Sequence, residues 1–367
     1  MDLAELLKYA VEYGASDLHI TVGRPPMVRI AGRLIPSGYE MELSPEDTKT
    51  LIYSVLTDDQ KAKFEEDREL DFSIGIPGVS RFRVNVFLQR GCVAGVFRAI
   101  GENIPTVEDL GLVETMCQLA LLPRGLVVVT GPTGSGKSTT LAAMINLVNQ
   151  QKEAHIVTIE DPIEFVHPHI RCTVNQRELG HDTHSFPRAL KSVLREDPNV
   201  ILVGEMRDLE TIAAALTLAE TGHLVLSTLH TQDAAQTVDR IIDVFPPYQQ
   251  EQIRVMLASS LKGVISQILL PKADGTGRVA AREVMVVTPA IAAIIREGKT
   301  HQIYSAIQTG TREGMCTMEK SLAELFAAGL ITEEDALSKA NHPLEFRALA
   351  TPQEDYRPQG GGGRGRQ

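Results

Sequence analysis

Eight consecutive residues, Gly131-Pro132-Thr133-Gly134-Ser135-Gly136-Lys137-Ser138, contain every fixed position of the phosphate-binding pattern G-x-x-x-x-G-K-[ST]. The glycines allow a tight turn whose backbone N–H groups surround phosphates, Lys137 reaches the β and γ oxygens, and the Ser138 hydroxyl can ligate Mg²⁺. A chance glycine turn is the alternative. The apolar run at 126–130 and the helical spacing that begins at Thr139 argue against it, because they supply the required strand and helix. The segment, with Thr139, predicts a site for ATP and Mg²⁺.

A candidate catalytic carboxylate follows a second apolar run. Hydrolysis of ATP needs a metal-side carboxylate and a group that orients or deprotonates water. The run at 200–203 delivers Glu205 to the carboxyl end of a predicted strand, where ligands bind in open α/β sheets. We predict Glu205 as the Mg²⁺-side carboxylate, acting through a metal-bound water because it is one methylene longer than the usual Asp. An acid that caps a strand end is the alternative.

Residues 159–164 hold three carboxylates directly after a predicted strand, and a proline lies among them. Carboxylates this close repel one another unless a cation is near, and an ATP–Mg²⁺ site would supply that cation. For the segment by itself, a solvated acidic loop is the alternative. Its position after the strand that follows the phosphate loop favours the site.

Two histidines, His223 and His230, flank the apolar run at 224–229. His230 stands at the predicted carboxyl end of this strand and can sense a γ-phosphate there. A hydrogen-bonded structural role is the alternative for each histidine. Zinc binding is disfavoured, because no cysteine or third ligand stands at a suitable spacing.

Three arginines lie on predicted strands of the first hundred residues. Two-residue alternation sends Arg81 and Arg83 to one face while Phe82 and Val84 pack inward, and Arg98 follows on the next strand. A solvated face is the alternative. Beside a nucleotide, such arginines would neutralise the charge that spreads over the transferred phosphoryl group.

Composition limits the class of protein. The 367 residues are enough for at least two domains, and the net charge of −11 repels nucleic-acid backbones. The four cysteines stand far apart and form no disulfide or metal pattern. We find no signal-peptide pattern and no apolar run of membrane-spanning length, so we expect a cytosolic protein without a transmembrane segment.

The chain predicts two domains. Residues 1–100 read as a small α+β domain, and 101–107, with glycine and proline, as a linker. From 108 to 351, buried-type strands alternate with helices, which predicts a mostly parallel sheet covered by helices and a helical C-terminal part. One predicted helix covers 247–267. The Gly/Arg-rich residues 352–367 are predicted to be disordered.

These segments, in this order, resemble the ring-forming secretion ATPases of type II secretion and type IV pili over roughly residues 1 to 345. The segment Ala15-Ser16-Asp17-Leu18-His19 near the start also carries this resemblance. Retraction motors of this family also resemble the chain in a C-terminal A-I-R-E-G element, here Ile294-Ile295-Arg296-Glu297-Gly298, with Ile294 in place of alanine. Assembly motors of the family usually carry a long N-terminal extension and a four-cysteine zinc motif, and this chain has neither.

The resemblance implies a homohexamer in which a PAS-like N-terminal domain joins a RecA-like P-loop ATPase domain, with nucleotide bound between the two. It implies that Glu164 is the catalytic glutamate, Glu205 the Walker B acid, and His223 and His230 the histidine-box pair. Arg81, Arg83 and Arg98 fall where this family presents arginines to the nucleotide.

The function that the resemblance implies is an ATP-hydrolysing motor that powers pilus retraction through nucleotide-driven domain motions. Its partners would be a pilus platform protein at the inner membrane and, indirectly, pilin, which places a cytoplasmic protein peripherally at that membrane. An accessory retraction paralogue and an assembly ATPase remain alternatives. A nucleic-acid translocase is disfavoured by the net charge and by the lack of a basic stretch interleaved with aromatic residues.

Overall fold

The computed structural model describes residues 2–30, 32–100 and 104–350. The predicted disordered tail at 352–367 and the first part of the predicted linker, 101–103, lie outside the described residues. The chain divides into two compact units. The first consists of Met1–Gly111, Ala120–Arg124 and Ser138–Ser227, and the second of Leu112–Leu119, Gly125–Lys137 and Thr228–Gln367. The predicted domain boundaries do not follow this division and stay predictions.

The first hundred residues form a six-stranded antiparallel sheet of order β3-β2-β1-β6-β5-β4. Its strands are β1 Asp17–Ile20, β2 Met27–Ile30, β3 Arg33–Pro36, β4 Glu69–Ile76, β5 Ser80–Gln89 and β6 Cys92–Ile100. Three helices accompany the sheet, α1 Leu3–Glu12, α2 Pro45–Tyr53 and α3 Asp58–Asp67. The predicted α+β character of this part is confirmed.

Local sequence explains where these helices begin. The Asp2 carboxylate caps α1, and Ser44 and Thr57 begin α2 and α3 with capping boxes that satisfy the first backbone N–H groups. Each helix then buries apolar side chains in one core shared with the sheet, which includes Leu3, Leu6, Leu7, Leu51, Ile52, Phe64, Leu18, Phe82 and Val84.

Strand β5 alternates between its two faces as predicted. Phe82 and Val84 are fully buried, whereas Arg81 is half-buried and Arg83 exposed on the opposite face. The helix-covered face therefore holds the core, and the other face carries the arginines.

A seven-stranded sheet follows, with the order β13-β12-β7-β11-β10-β8-β9. Strands β9, β8, β10 and β11 run parallel, β12 runs parallel to β7, and β13 pairs antiparallel with β12. The strands are β7 Gly125–Thr130, β8 His155–Glu160, β9 Thr173–Glu178, β10 Val200–Val203, β11 Leu224–Leu229, β12 Leu261–Pro271 and β13 Arg278–Val286. The predicted mostly parallel sheet is confirmed.

Eleven α-helices belong to the described residues beyond 104. They are α4 Glu114–Ala120, α5 Lys137–Gln151, α6 Phe186–Val193, α7 Leu209–Glu220, α8 Ala234–Asp243, α9 Pro247–Ser260, α10 Pro289–Arg296, α11 Ile303–Thr309, α12 Met318–Ala327, α13 Glu333–Lys339 and α14 Pro343–Ala350. The last five give the C-terminal part its predicted helical character.

The predicted helix at 247–267 is wrong in its second half. Helix α9 ends at Ser260, and β12 begins at Leu261 and pairs with β7. The run that contains Val264 and Ile265 is wholly buried in the sheet. A short apolar run has no period that separates a buried strand from a buried helix, so only the pairing with β7 decides it.

Candidate active site

The phosphate loop lies between β7 and α5, in the second unit up to Lys137. Gly131, Gly134 and Gly136 have φ values of 140°, 79° and 84°, which L side chains rarely adopt. A Cβ atom at Gly131 would clash with the backbone carbonyl oxygen of Gln267. The tight path of this loop therefore requires glycine, as the sequence predicts, and it presents backbone N–H groups at the start of a helix, where anions bind.

Lys137 is the first residue of α5 and is buried. Its ammonium donates to the carbonyl oxygens of Gly131, at 2.8 Å, and of Pro132, at 3.1 Å. Pro132, Thr133 and Gly134 are exposed at the tip of the loop. The predicted nucleotide-binding cation thus lies inside the loop that would surround the phosphates.

Two residues that the sequence reasoning missed support this loop from β12 and β13. The Gln267 amide donates to the carbonyl oxygen of Ser135, and Arg282 Nε donates to Gln267 Oε1 at 3.1 Å. Burial lowers the pKa of Arg282 to about 10. The sequence held no signal for either residue, because the segment that ends at Gln267 was predicted as helix and the strand that carries Arg282 was not predicted.

In the first unit, Ser138 and Glu164 meet. The Ser138 hydroxyl donates to Glu164 Oε1 at 3.0 Å, and Thr139, next to it, is half-buried. A hydroxyl and a carboxylate are hard oxygen donors of the kind that Mg²⁺ takes. The structure therefore brings together the last residue of the phosphate-binding pattern and the predicted catalytic glutamate.

The loop that carries Glu164 is held by polar side chains from β8 and β9. Glu160 accepts hydrogen bonds from Thr158, Gln176 and the backbone of Glu164. The amide of Gln176 also donates to the Phe165 carbonyl and accepts from the His167 backbone, both at 2.8 Å. These bonds give an irregular loop defined backbone positions.

Burial shifts two pKa values, one at the end of β8 and one within this loop. Although part of the Glu160 surface is exposed, protein atoms surround its carboxyl group, and burial raises the pKa of Glu160 to about 7. Burial lowers the pKa of His167 to about 4, which keeps the imidazole neutral at physiological pH.

Glu205 follows β10, as predicted. Its Oε2 forms an ion pair with an Arg207 guanidinium nitrogen at 2.8 Å. The hydrogen bond and charge of Glu205 raise the pKa of Arg207. The sequence reasoning missed Arg207, which already balances the charge of this carboxylate.

The two histidines lie at opposite ends of β11. His223 precedes the strand, and its Nδ1 lies 3.0 Å from the Leu218 carbonyl oxygen and 3.3 Å from Thr221 Oγ1. His230 follows the strand and is exposed. A single strand therefore does not bring the predicted histidine pair together.

The three predicted arginines share the face of the N-terminal sheet opposite its apolar core, but their contacts differ. Arg98 donates to the buried Asp17 at 2.8 Å, and Arg81 forms an ion pair with the buried Glu178 at 2.8 Å. Arg83 lies opposite Arg98 in the strand register and is exposed. The roles of all three at a nucleotide stay predictions.

Comparison with known proteins identifies the family. The family model described as "Type II/IV secretion system protein" matches residues 2–337. The chain belongs to the type II/IV secretion system protein family. The predicted family resemblance is thereby confirmed.

This secretion-family protein is 54% identical over 349 residues to the type IV pilus retraction ATPase PilT of Pseudomonas aeruginosa, covering 94% of this chain and 100% of that protein. It is 45% identical over 349 residues to the type IV pilus ATPase PilU of the same organism, covering 95% and 91%. The crystal structure of the pilus retraction motor PilT with bound ADP matches with a TM-score of 0.89 at 50% identity, covering 95% of this chain and 99% of that one. The predicted fold class is confirmed.

The lengths of the helices in this protein can be compared with the length that a membrane-spanning helix needs. Among residues 2–30, 32–100 and 104–350, no helix combines the length and apolar character that a membrane crossing requires.

We predict that Gly131→Ala weakens nucleotide binding at least tenfold, because both its φ of 140° and the approach of the Gln267 carbonyl exclude a side chain. Titration with a fluorescent nucleotide measures this. Gly134→Ala is the matched control. Its Cβ would meet no atom within 4 Å, so only the cost of the positive φ applies, about 1 kcal/mol. Equal losses in the two variants would contradict the steric argument.

Glu160 predicts a pH dependence of stability. Its folded-state pKa of about 7 lies above the ordinary glutamate value of 4.5, so the folded state binds the extra proton and the free energy of unfolding falls as pH rises through this window. Glu160→Gln removes this dependence. Relative to wild type, the variant should gain up to about 3 kcal/mol between pH 4.5 and 7, on top of a constant offset for altered hydrogen bonds. Urea unfolding across that range measures it, and a flat difference would be inconsistent with a buried carboxyl.

Proposed function

We propose that this protein is an ATP-hydrolysing motor that powers type IV pilus retraction. The observation that carries the proposal is the 3.0 Å hydrogen bond between Ser138, at the end of the phosphate-binding pattern, and Glu164. This contact places a hydroxyl of the kind that ligates Mg²⁺ beside a carboxylate that can accept a proton from water. The 54% identity to PilT over nearly the whole chain supports the assignment to retraction.

In the proposed mechanism, the backbone N–H groups of the loop at 131–138, which Pro132 alone lacks, and the Lys137 ammonium would hold the β and γ phosphates. Ser138 and, through a water, Glu205 would hold Mg²⁺, which supplies charge neutralisation between the phosphates. Glu164 orients the attacking water and takes its proton. His230 senses the γ-phosphate.

The exposed Arg83 is the arginine that we assign first to the developing charge on the phosphoryl group, since Arg81 and Arg98 already pair with buried carboxylates. Nucleotide binding would close the N-terminal domain onto the ATPase domain, and hydrolysis would let it reopen. This motion is the proposed mechanical step. Neutral substitution of Arg83 is then expected to leave nucleotide binding intact and to slow hydrolysis.

The family resemblance supports a homohexamer that acts in the cytoplasm at the inner membrane. We propose a pilus platform protein as its direct partner and pilin as the indirect one. With 45% identity to PilU, an accessory retraction ATPase is the second candidate. Deletion of the gene, with surface pili scored, distinguishes retraction from assembly, because pili should accumulate without retraction and disappear without assembly.

We predict that Glu164→Gln lowers the ATPase kcat by at least about 100-fold while it retains nucleotide binding, because only the proton acceptor is lost. Lys137→Ala should abolish hydrolysis by weakening the hold on the phosphates. A steady-state ATPase assay and a nucleotide titration measure both. Glu153→Gln, at an exposed carboxylate paired with Arg171, serves as the control and should behave as wild type. Wild-type turnover by Glu164→Gln would refute the assignment of the base.

A further inference from the structure

The Glu178 carboxylate, at the end of β9, joins two parts of the first unit. It is 2% exposed. One oxygen accepts a hydrogen bond from the Ser73 hydroxyl on β4. The other accepts from Arg81 on β5, at 2.8 Å, and from the backbone N–H of Ile163, at 3.0 Å. Ile163 immediately precedes Glu164, so one buried carboxylate connects the N-terminal sheet with the catalytic loop.

Arg81 and Ser73 also bond to each other, since Arg81 donates to Ser73 Oγ at 2.6 Å. The two side chains therefore form a closed triangle with Glu178. A buried carboxylate is costly unless a cation and hydrogen-bond donors compensate it. Arg81 is the cation that the structure places on Glu178, and it comes from the N-terminal sheet.

We infer that Glu178 is a positioning residue that makes the geometry of the Glu164 loop depend on the placement of the N-terminal domain. With Ser73 and Arg81 in contact, Glu178 is neutralised and holds the Ile163 N–H. When the N-terminal sheet moves away, the carboxylate loses its cation and draws water, and its hold on the loop weakens. The inference rests on the proposed role of Glu164 and deepens it, because it links domain motion to hydrolysis.

The rest of the loop has separate anchors. Gln176 bonds to Phe165 and His167, and Glu160 bonds to the Glu164 backbone. Loss of the Glu178 contact should therefore loosen the region around Ile163 without unfolding the loop. This local effect is what an experiment can separate from general instability.

Hydrogen exchange of the full-length protein tests the link independently of ATPase activity. In Arg81→Gln, we expect the amides of residues 163–165 to exchange about tenfold faster, although the substitution lies on the N-terminal sheet. Ser73→Ala, which removes only a hydroxyl, should give a smaller rise in the same place. Arg83→Gln is the matched control. Arg83 lies on the same face of β5 and is not among the described partners of Glu178, so exchange at 163–165 should stay at the wild-type rate.

Equal exchange at 163–165 in Arg81→Gln and wild type would overturn the inference. So would a general rise across the N-terminal strands, because that would mean unfolding. Either exchange result would leave the proposed motor function unaffected. Lack of ATPase activity in the wild type would instead refute the motor function and leave the exchange result valid.

Kinetics supply the second measurement. Glu178→Gln keeps the size of the side chain and removes its charge, so we expect kcat for ATP to fall about tenfold with KM and Tm near wild type. Glu196→Gln is the control, since Glu196 forms a 2.8 Å ion pair with Arg177, the neighbour of Glu178 on β9. It should keep the wild-type kcat. An unchanged kcat in Glu178→Gln would count against a positioning role. So would a fall in kcat that comes with a raised KM and a lowered Tm.

Discussion

An irregular loop keeps its shape only if its backbone N–H and C=O groups find partners, and the loop after β8 depends on this constraint. Its partners are side chains from neighbouring strands: Glu160 at the end of β8, and Gln176 and Glu178 on β9. Each receives or donates bonds at a defined backbone atom. Glu164 is therefore presented by a polar scaffold, and that scaffold can be more sensitive to charge than to apolar packing.

The phosphate loop in the second unit uses the same solution. The side-chain amide of Gln267 on β12 donates to the Ser135 carbonyl oxygen. The backbone carbonyl of Gln267 leaves no room for a side chain at residue 131. Arg282 on β13 orients that amide. The phosphate loop thus takes its shape from strands that are distant in sequence, whereas the loop after β8 takes its shape from the two strands that flank it in the chain. This arrangement suits a site that must be rigid at the phosphates, because strands of a buried sheet move little.

Much of the architecture followed from the chain alone. The strands at 126–130 and 224–229 are predictable because strands buried on both faces read as continuous apolar runs. Strand β9 was missed, since Thr-Val-Asn-Gln-Arg-Glu is polar and lacks that signature. Its polar side chains Gln176 and Glu178 help to hold the loop that carries Glu164. The strand half of 247–267 was also missed, because an apolar run without a period fits either element.

The sequence by itself determined the chemistry of the phosphate loop, since Gly131 to Ser138 act through covalently adjacent backbone and side-chain groups. It also determined the alternation that separates Phe82 from Arg83 on β5, because a strand has a fixed two-residue period. Only the tertiary structure decided that Ser138 meets Glu164, that Arg207 balances Glu205, and that Arg81 pairs with Glu178. For Ser138–Glu164 and Arg81–Glu178, the physical reason is that the contact joins segments distant in sequence, whose distance is set by strand pairing and burial rather than by spacing along the chain. For Glu205 and Arg207, which are two residues apart, the reason is that their pairing depends on the turn the chain takes after β10.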